Sequence, residues 1–308
     1  LNFRDQLINT FNNYGNWVWS NTATYNLKAD DHGFLFLIGS ESIAFAQEEF
    51  SASRRGFTGQ NLDYAYLNQG TDNIQNGGSG SRWTLQSFFG KADYNFKNKY
   101  LASITMRRDG SSRFGANNRY GNFPAVSAGW RIGEEGFMQG VSAISELKLR
   151  GSWGITGNQD IDPRAQFAIF EPRYATRSLF TFDQDNGTAY DLYGNNQGQL
   201  PSGFAKTQSE NPDLKWETSE TIDVGIDLGF FDDKITATVD YYIKTTKDIL
   251  TLTRPVATEG EGAARFVNGG TIENRGLEIS VGYSSEVSLA GKILGLNISG
   301  NVSHISNE

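Results

Sequence analysis

The sequence predicts an all-β chain: an antiparallel up-and-down sheet of about ten strands, forming a segment of a transmembrane β-barrel with long loops at one end. Three observations predict it. Apolar and polar residues alternate over many stretches, the mark of strands whose two faces meet different surroundings. The connections between these stretches run short, long, short, long. Aromatic residues flank the short connections.

Composition narrows the function classes. The chain of 308 residues has 35 glycines but only 6 prolines and 2 methionines, which suits strands and turns better than helices. Its longest strongly apolar run is Phe34 to Ile38, far short of the about 20 residues a spanning helix needs. Cysteine is absent, which excludes disulfides, thiolate zinc sites and cysteine nucleophiles. The two histidines, His32 and His304, have no serine–carboxylate partners at a recognisable spacing, so the chain is read as non-enzymatic, with no catalytic or metal residue assigned. A formal charge of -8 repels phosphates and argues against nucleic acid as a partner. The chain opens at Leu1 with no signal segment and closes just after a strand-like run, and reads as a piece of something longer.

Each strand follows from its own alternation. Residues 16–28 and 33–50 open the set around an Asp30-Asp31-His32 turn. Phe88, Ala92, Tyr94 and Phe96 alternate with Ser87, Lys91, Asp93 and Asn95, and Phe89 interrupts the polar row. Tyr100, Ala102, Ile104 and Met106 alternate with Ser103, Thr105 and Arg107. Val126, Ala128, Trp130 and Ile132 alternate with Ser127, Gly129 and Arg131; Leu147, Leu149 and Trp153 with Lys148, Arg150 and Ser152. The cleanest case is Ile222, Val224, Ile226, Leu228 and Phe230 against Thr221, Asp223, Gly225, Asp227 and Gly229. Ile235, Ala237, Val239, Tyr241 and Ile243 repeat it after the Asp232-Asp233 turn. Leu277 to Tyr283 and Leu294 to Val302 complete the count.

The long connections are 51–80, 109–122, 157–215 and 249–272; the shorter ones are 30–32, 97–99, 134–145, 232–233 and about 286–292. In a meander all short connections fall at one end, as in outer-membrane barrels. Tyr25, Phe34, Phe96, Tyr100, Phe230 and Phe231 then share one level, where amphipathic rings rest between lipid and water. The competing reading is a soluble or surface β-sandwich acting as a glycan-binding or adhesion module. It requires the Ile222–Leu228 apolar face to meet a second sheet.

Several blocks resemble a known family. Asp109-Gly-Ser-Ser-Arg-Phe-Gly115, followed by Arg119-Tyr-Gly-Asn-Phe-Pro-Ala-Val-Ser-Ala-Gly-Trp-Arg131, is similar to a signature of the SusC/RagA TonB-linked transporters of Bacteroidota. Leu147 to Gln159, Asn211-Pro-Asp-Leu-Lys-Trp-Glu217 and Asn268 to Glu278 resemble further family stretches in the same order. The resemblance implies a cell-outer-membrane barrel of about 22 strands with a plug in its lumen. It implies import of an oligosaccharide or peptide, delivered by a SusD-like lipoprotein and powered by TonB-ExbB-ExbD through an N-terminal region. Residues 1–308 are then a partial TonB-dependent receptor barrel domain, expected to lack the plug, the TonB box and the closing strands.

Structural roles are assigned to the motif residues Asp109, Gly110, Arg113, Phe114, Trp130, Trp153, Gly157, Asn158, Trp216, Asn274 and Gly276. Arg113 and Arg119 are expected to pair with Asp109 or nearby loop carboxylates, Gly157 and Asn158 to take positive φ, and Trp216 to anchor at the interface. Charges on the polar rows are expected to pair laterally across the lumen wall; the functional alternative is that they grip the plug or the solute. Phe180, Phe182, Tyr190, Tyr193, Asn195 and Asn196 are the ligand candidates, because rings stack on sugar faces and amides satisfy hydroxyl groups. Asp183 to Asn186 is acidic enough to suggest Ca²⁺ but lacks a recognised ligand spacing, so no cofactor is assigned.

Overall fold

The computed structural model describes residues 6–57, 66–174, 201–254, 263–289 and 292–308. Its strands are β1 (Gln6–Ala29), β2 (His32–Arg55), β3 (Asp72–Phe96), β4 (Tyr100–Ser111), β5 (Tyr120–Arg131), β6 (Ile144–Asn158) and β7 (Ile169–Tyr174). They continue with β8 (Pro201–Gln208), β9 (Glu217–Phe230), β10 (Ile235–Lys247), β11 (Leu250–Thr253), β12 (Arg265–Asn268), β13 (Thr271–Leu289) and β14 (Lys292–Asn307). Ten of them form one sheet in the order β1-β2-β3-β4-β5-β6-β9-β10-β13-β14. Every neighbouring pair in it is antiparallel. Two hairpins, β7–β8 and β11–β12, stand apart within the long connections.

Register carries the sequence alternation across the whole sheet. Tyr100 pairs with Trp130, Trp130 with Leu149, Leu149 with Ile226, Ile226 with Val239, and Val239 with Ile279. All are apolar or interfacial residues, so one face is apolar throughout and the other carries the polar rows. No second layer covers the apolar face of the ten-stranded sheet among the described residues: Ile222 is 47% and Val224 51% exposed. This removes the sandwich reading. On β9 the apolar row runs from Phe230 to Ile222 and ends at Glu220. At about 3.3 Å per residue and a tilt near 40°, that covers roughly 20 Å, the height of an outer-membrane hydrocarbon band.

The short turns are tight because left-handed residues reverse the chain. Asp30, Lys97, Asn98, Phe231, Asp232 and Asp233 all have positive φ. Asn95 secures the second of these turns, its side chain accepting from the Asn98 backbone N–H at 2.8 Å. Beside these turns lies a ladder of rings: Phe34 with Tyr94 at 4.9 Å between centroids, Phe96 with Tyr100 at 6.2 Å, and Tyr100 with Trp130 at 6.4 Å. This is the expected girdle at the short-turn level. Trp17 and Trp19, 6.1 Å apart and exposed, stand at the other end of the apolar band on β1.

The strands outrun the alternation that predicts them. The connection expected at 51–80 shrinks to 56–71, because β2 reaches Arg55 and β3 begins at Asp72. Above the membrane neither face needs to be apolar, so ladder pairing continues without a period-2 signal; Asn76-Gly77-Gly78-Ser79-Gly80 is fully paired with β2. The 109–122 connection shortens likewise, to 112–119, and the 286–292 connection to residues 290–291.

Candidate functional site: the lumen wall and the extracellular rim

The polar face is a lattice of ion pairs. On β4, Arg107 donates through Nε to both Asp109 carboxylate oxygens (2.8 and 2.9 Å), and through Nη2 to Ser87 Oγ (2.8 Å) and Glu41 (3.4 Å). Its guanidinium also lies 5.3 Å from the Phe89 ring centroid, which explains the aromatic that interrupts the polar row of β3. Further round the wall, Arg150 of β6 meets Asp223 (3.3 Å), Asp227 (3.3 Å) and Asp240 (2.5 Å), while Lys148 joins Asp227 at 3.4 Å. Arg150 reaches Asp240 on β10 only by crossing β9 at Gly225, where a Cβ would collide with both the guanidinium and the carboxylate. The lateral pairing expected from the alternating signs is therefore present at these positions. Lys244 and Glu278 carry no ion pair among the described residues.

Between these clusters and the short turns the inner face is concave. A hollow of about 1230 Å³ is lined by Lys91, Asp93, Ser127, Lys148, Arg150 and Asp223, among others. It is open, charged and hydroxyl-rich, chemistry suited to water, to another polar protein segment or to a hydrophilic solute.

Glycine recurs on the wall where an aromatic ring lies flat across the neighbouring strand. Tyr242 covers Gly276, Tyr120 covers Gly110, Phe89 covers Gly39 and Phe123 covers Gly157. Such ring-over-glycine pairs pin strand register and shield the bare backbone. Gly157 and Asn158 accordingly do not adopt positive φ; they are strand residues paired with Thr218 and Glu217. Gly157 is small because Phe123 needs its space.

At the long-loop end the connections condense into a small core. Phe114 and Leu214 are fully buried, Trp216 is 6% exposed, and Phe123, Ile161 and Ala165 complete the cluster. Trp216 is thus not an interfacial anchor. It packs on Phe114 (5.2 Å) and edge-on against Phe123 (5.3 Å), and its indole N–H donates to the Arg119 carbonyl at 3.0 Å. Arg113 does not meet Asp109, which Arg107 already occupies, but takes the other expected kind of partner, the loop carboxylate of Asp160. Its guanidinium lies 4.9 Å from the Trp83 ring and donates to the Gln159 carbonyl (3.0 Å) and Asp160 (3.2 Å). Among the described residues Arg119 contributes its backbone carbonyl, which accepts from Trp216 and from the Ser111 N–H. Asparagine amides tie the β11–β12 hairpin to this core: Asn211 donates to the Phe266 carbonyl (2.8 Å) and Asn268 to those of Lys215 (2.7 Å) and Asp248 (2.9 Å).

Trp130 and Trp153 lie on the apolar face with their N–H groups satisfied by Glu135 (3.1 Å) and Glu220 (2.9 Å). Glu135, in the turn after β5, also accepts from the Tyr100 hydroxyl (2.6 Å) and Lys99 (3.4 Å). The Tyr100 bond, then those of Trp130 and Lys99, hold its pKa below the usual glutamate value. Asn274 sits in register between Lys244 and Asn307. The ligand candidates Phe180, Phe182, Tyr190, Tyr193, Asn195 and Asn196, and the Asp183–Asn186 run, lie outside the described residues. No cluster of metal-ligating side chains occurs among the described residues.

Comparison with known proteins agrees with this geometry. The family described as "TonB dependent receptor-like, beta-barrel" matches residues 2–308. TonB-dependent receptor SusC of Bacteroides thetaiotaomicron is 36% identical over 278 residues, covering 88% of this chain and 26% of that receptor. TonB-dependent receptor P3 of Formosa agariphila is 32% identical over 272 residues, covering 88% of this chain and 25% of that receptor. A structure of the RagAB peptide importer in its open-open state superposes with a TM-score of 0.80 at 25% identity, over 98% of this chain and 30% of that one. The chain spans about a quarter of the length of the curated relatives it matches. These relatives are receptors and transporters, not enzymes. A single curved sheet with an apolar outside, a charged inside and a match along its whole length places the chain in the TonB-dependent receptor β-barrel family, outer-membrane proteins of the SusC and RagA type.

Proposed function

We propose that this chain supplies barrel wall and extracellular rim to a TonB-dependent importer of an oligosaccharide, working with a SusD-like lipoprotein. The observation that carries the reading is the charged, hydroxyl-lined inner face, closed to lipid by the apolar outer rows, with a preformed loop core at its outer mouth. In this reading the lipoprotein delivers solute at the rim. TonB-ExbB-ExbD acts on the N-terminal part of the protein, and the solute passes along the polar wall. The family resemblance of the sequence blocks implies the sugar, while likeness to a peptide importer favours a peptide as the second reading.

The test uses the full-length receptor in its native host. Deleting the gene is expected to abolish growth on one class of oligosaccharide as sole carbon source and to leave growth on its monosaccharide intact. Growth lost on oligopeptides instead establishes the second reading, and unimpaired growth on both overturns the importer assignment. Co-purification of the receptor with a lipoprotein in detergent tests the partner.

A further inference from the structure

On the outer, lipid-facing side of the sheet, three cations at or above the upper edge of the apolar band are neutralised by carboxylates. Arg82 on β3 pairs with Glu48 at 3.0 Å, Lys247 on β10 with Glu220 at 3.0 Å, and Arg275 on β13 with Glu273 at 2.7 Å. Arg108 on β4, at the same edge, has no carboxylate partner among the described residues. It follows Met106 in the outward row Tyr100-Ala102-Ile104-Met106, and in register it sits between exposed Phe88 and Asn122. Its side chain is exposed, and among the described residues it has neither a carboxylate partner nor a hydrogen bond. Its guanidinium carbon lies 4.9 Å from the centroid of the Tyr120 ring. Tyr120 is itself laid flat over Gly110, where a Cβ would collide with the ring.

This arrangement props a cation instead of quenching it. A ring face stabilises the guanidinium while leaving its N–H fork free to donate outward. An unpaired arginine two residues above Met106 would be costly in hydrocarbon, but at headgroup height its natural complement is a phosphate, taken bidentately. The long-loop end of the sheet faces outward from the cell, so the phosphates at this height belong to the anionic glycolipid of the outer leaflet. We infer that Arg108, braced by Tyr120 over Gly110 and flanked by Asn122, forms a phosphate-binding site for an outer-leaflet lipid A molecule. The inference rests on the membrane orientation alone and is independent of the transported solute.

The experiment is native mass spectrometry of the full-length receptor in detergent, titrated with bis-phosphorylated lipid A, with enzymatically dephosphorylated lipid A, and with phosphatidylglycerol. Bis-phosphorylated lipid A is expected to bind roughly tenfold tighter than the dephosphorylated form, the size of one charge-assisted contact. Arg108→Gln is expected to abolish that difference, Arg108→Lys to keep part of it, and Arg82→Gln, which removes a paired cation, to leave it intact. Inorganic phosphate at millimolar concentration is expected not to displace the lipid. Equal binding of the two lipid A forms to the unmodified receptor overturns the proposal whether or not any variant folds. An unchanged difference in Arg108→Gln, or displacement by free phosphate, also overturns it. Preference for phosphatidylglycerol over lipid A would show that the orientation, not the phosphate chemistry, is at fault.

Discussion

The wall and the rim of this protein are stabilised by different solvents. The wall is one sheet thick: its large apolar side chains, such as Val224 and Ile298, stay exposed to their surroundings, and its order comes from ladder hydrogen bonds and lateral ion pairs. The rim, built from segments 112–119, 159–168 and 209–216, encloses Phe114, Leu214 and Trp216 as a water-soluble domain does. In lipid every backbone group must be paired within the sheet but apolar side chains need no protein cover. In water the reverse weighting holds, and burial supplies the driving force. One chain therefore follows two sets of folding rules, and the boundary runs through the strand ends, near Trp153 and Glu220.

The contrast is broken most severely at the rim. Trp216→Ala is expected to cost about 3–5 kcal/mol of local stability by opening a cavity against Phe114 and Phe123. In the full-length receptor this should appear as faster proteolysis between residues 159 and 216, with the wall still resisting denaturation by detergent. Collapse of the whole barrel would show that the two regions are not separable. Next comes the outer face. Val224→Lys, at an exposed mid-band position, is expected to lower stability in bilayers by about 2–4 kcal/mol, a penalty absent for an exposed side chain in water. Equilibrium unfolding in liposomes measures it.

A smaller effect sharpens the account of the inner face. Gly276→Val must displace the Tyr242 ring, at a cost of about 1–3 kcal/mol. Tyr242→Ala introduced alongside should recover most of that loss, so a double variant no more stable than Gly276→Val contradicts the ring-over-glycine pairing. The smallest effect lies at the short turns. Because hydrogen bonds from Tyr100, Trp130 and Lys99 lower the folded-state pKa of Glu135, its contribution is complete above the ordinary glutamate range and is lost as pH falls through the lowered value. Glu135→Gln should remove that acid-side loss, read as the change in Trp130 fluorescence on acidification.

The strands that cross the band were legible because lipid on one side and water on the other impose period two. All ten appear in the sheet, as Ile222 to Phe230 shows most plainly. Their upper extensions are not legible, since Asn76 to Gly80 is held to β2 by backbone pairing that needs no alternation of side chains. The motif residues were recognisable but several of their roles were not. Arg107 lies two residues from Asp109 on the same face, so strand geometry already favoured that pair over Arg113, which is separated from Asp109 by a turn. Trp216 reads as an anchor because its loop returns toward the membrane; only the proximity of Phe114 and Phe123, about a hundred residues earlier in sequence, makes it core. The ring-over-glycine pairs depend on register between strands, which no single strand's pattern contains.

The central claim is that even-numbered positions of β9 face lipid and odd-numbered ones face an aqueous lumen. Residues 1–308 contain no cysteine, so single cysteines can be placed at positions 221–228 in a full-length receptor whose remaining cysteines, if any, are replaced, then labelled with an environment-sensitive fluorophore and reconstituted in bilayers. The account predicts that a bilayer-confined brominated lipid quenches 222, 224, 226 and 228, while a water-soluble quencher reaches 221, 223, 225 and 227. Equal quenching of both sets, or protection of the even set from lipid, would contradict it.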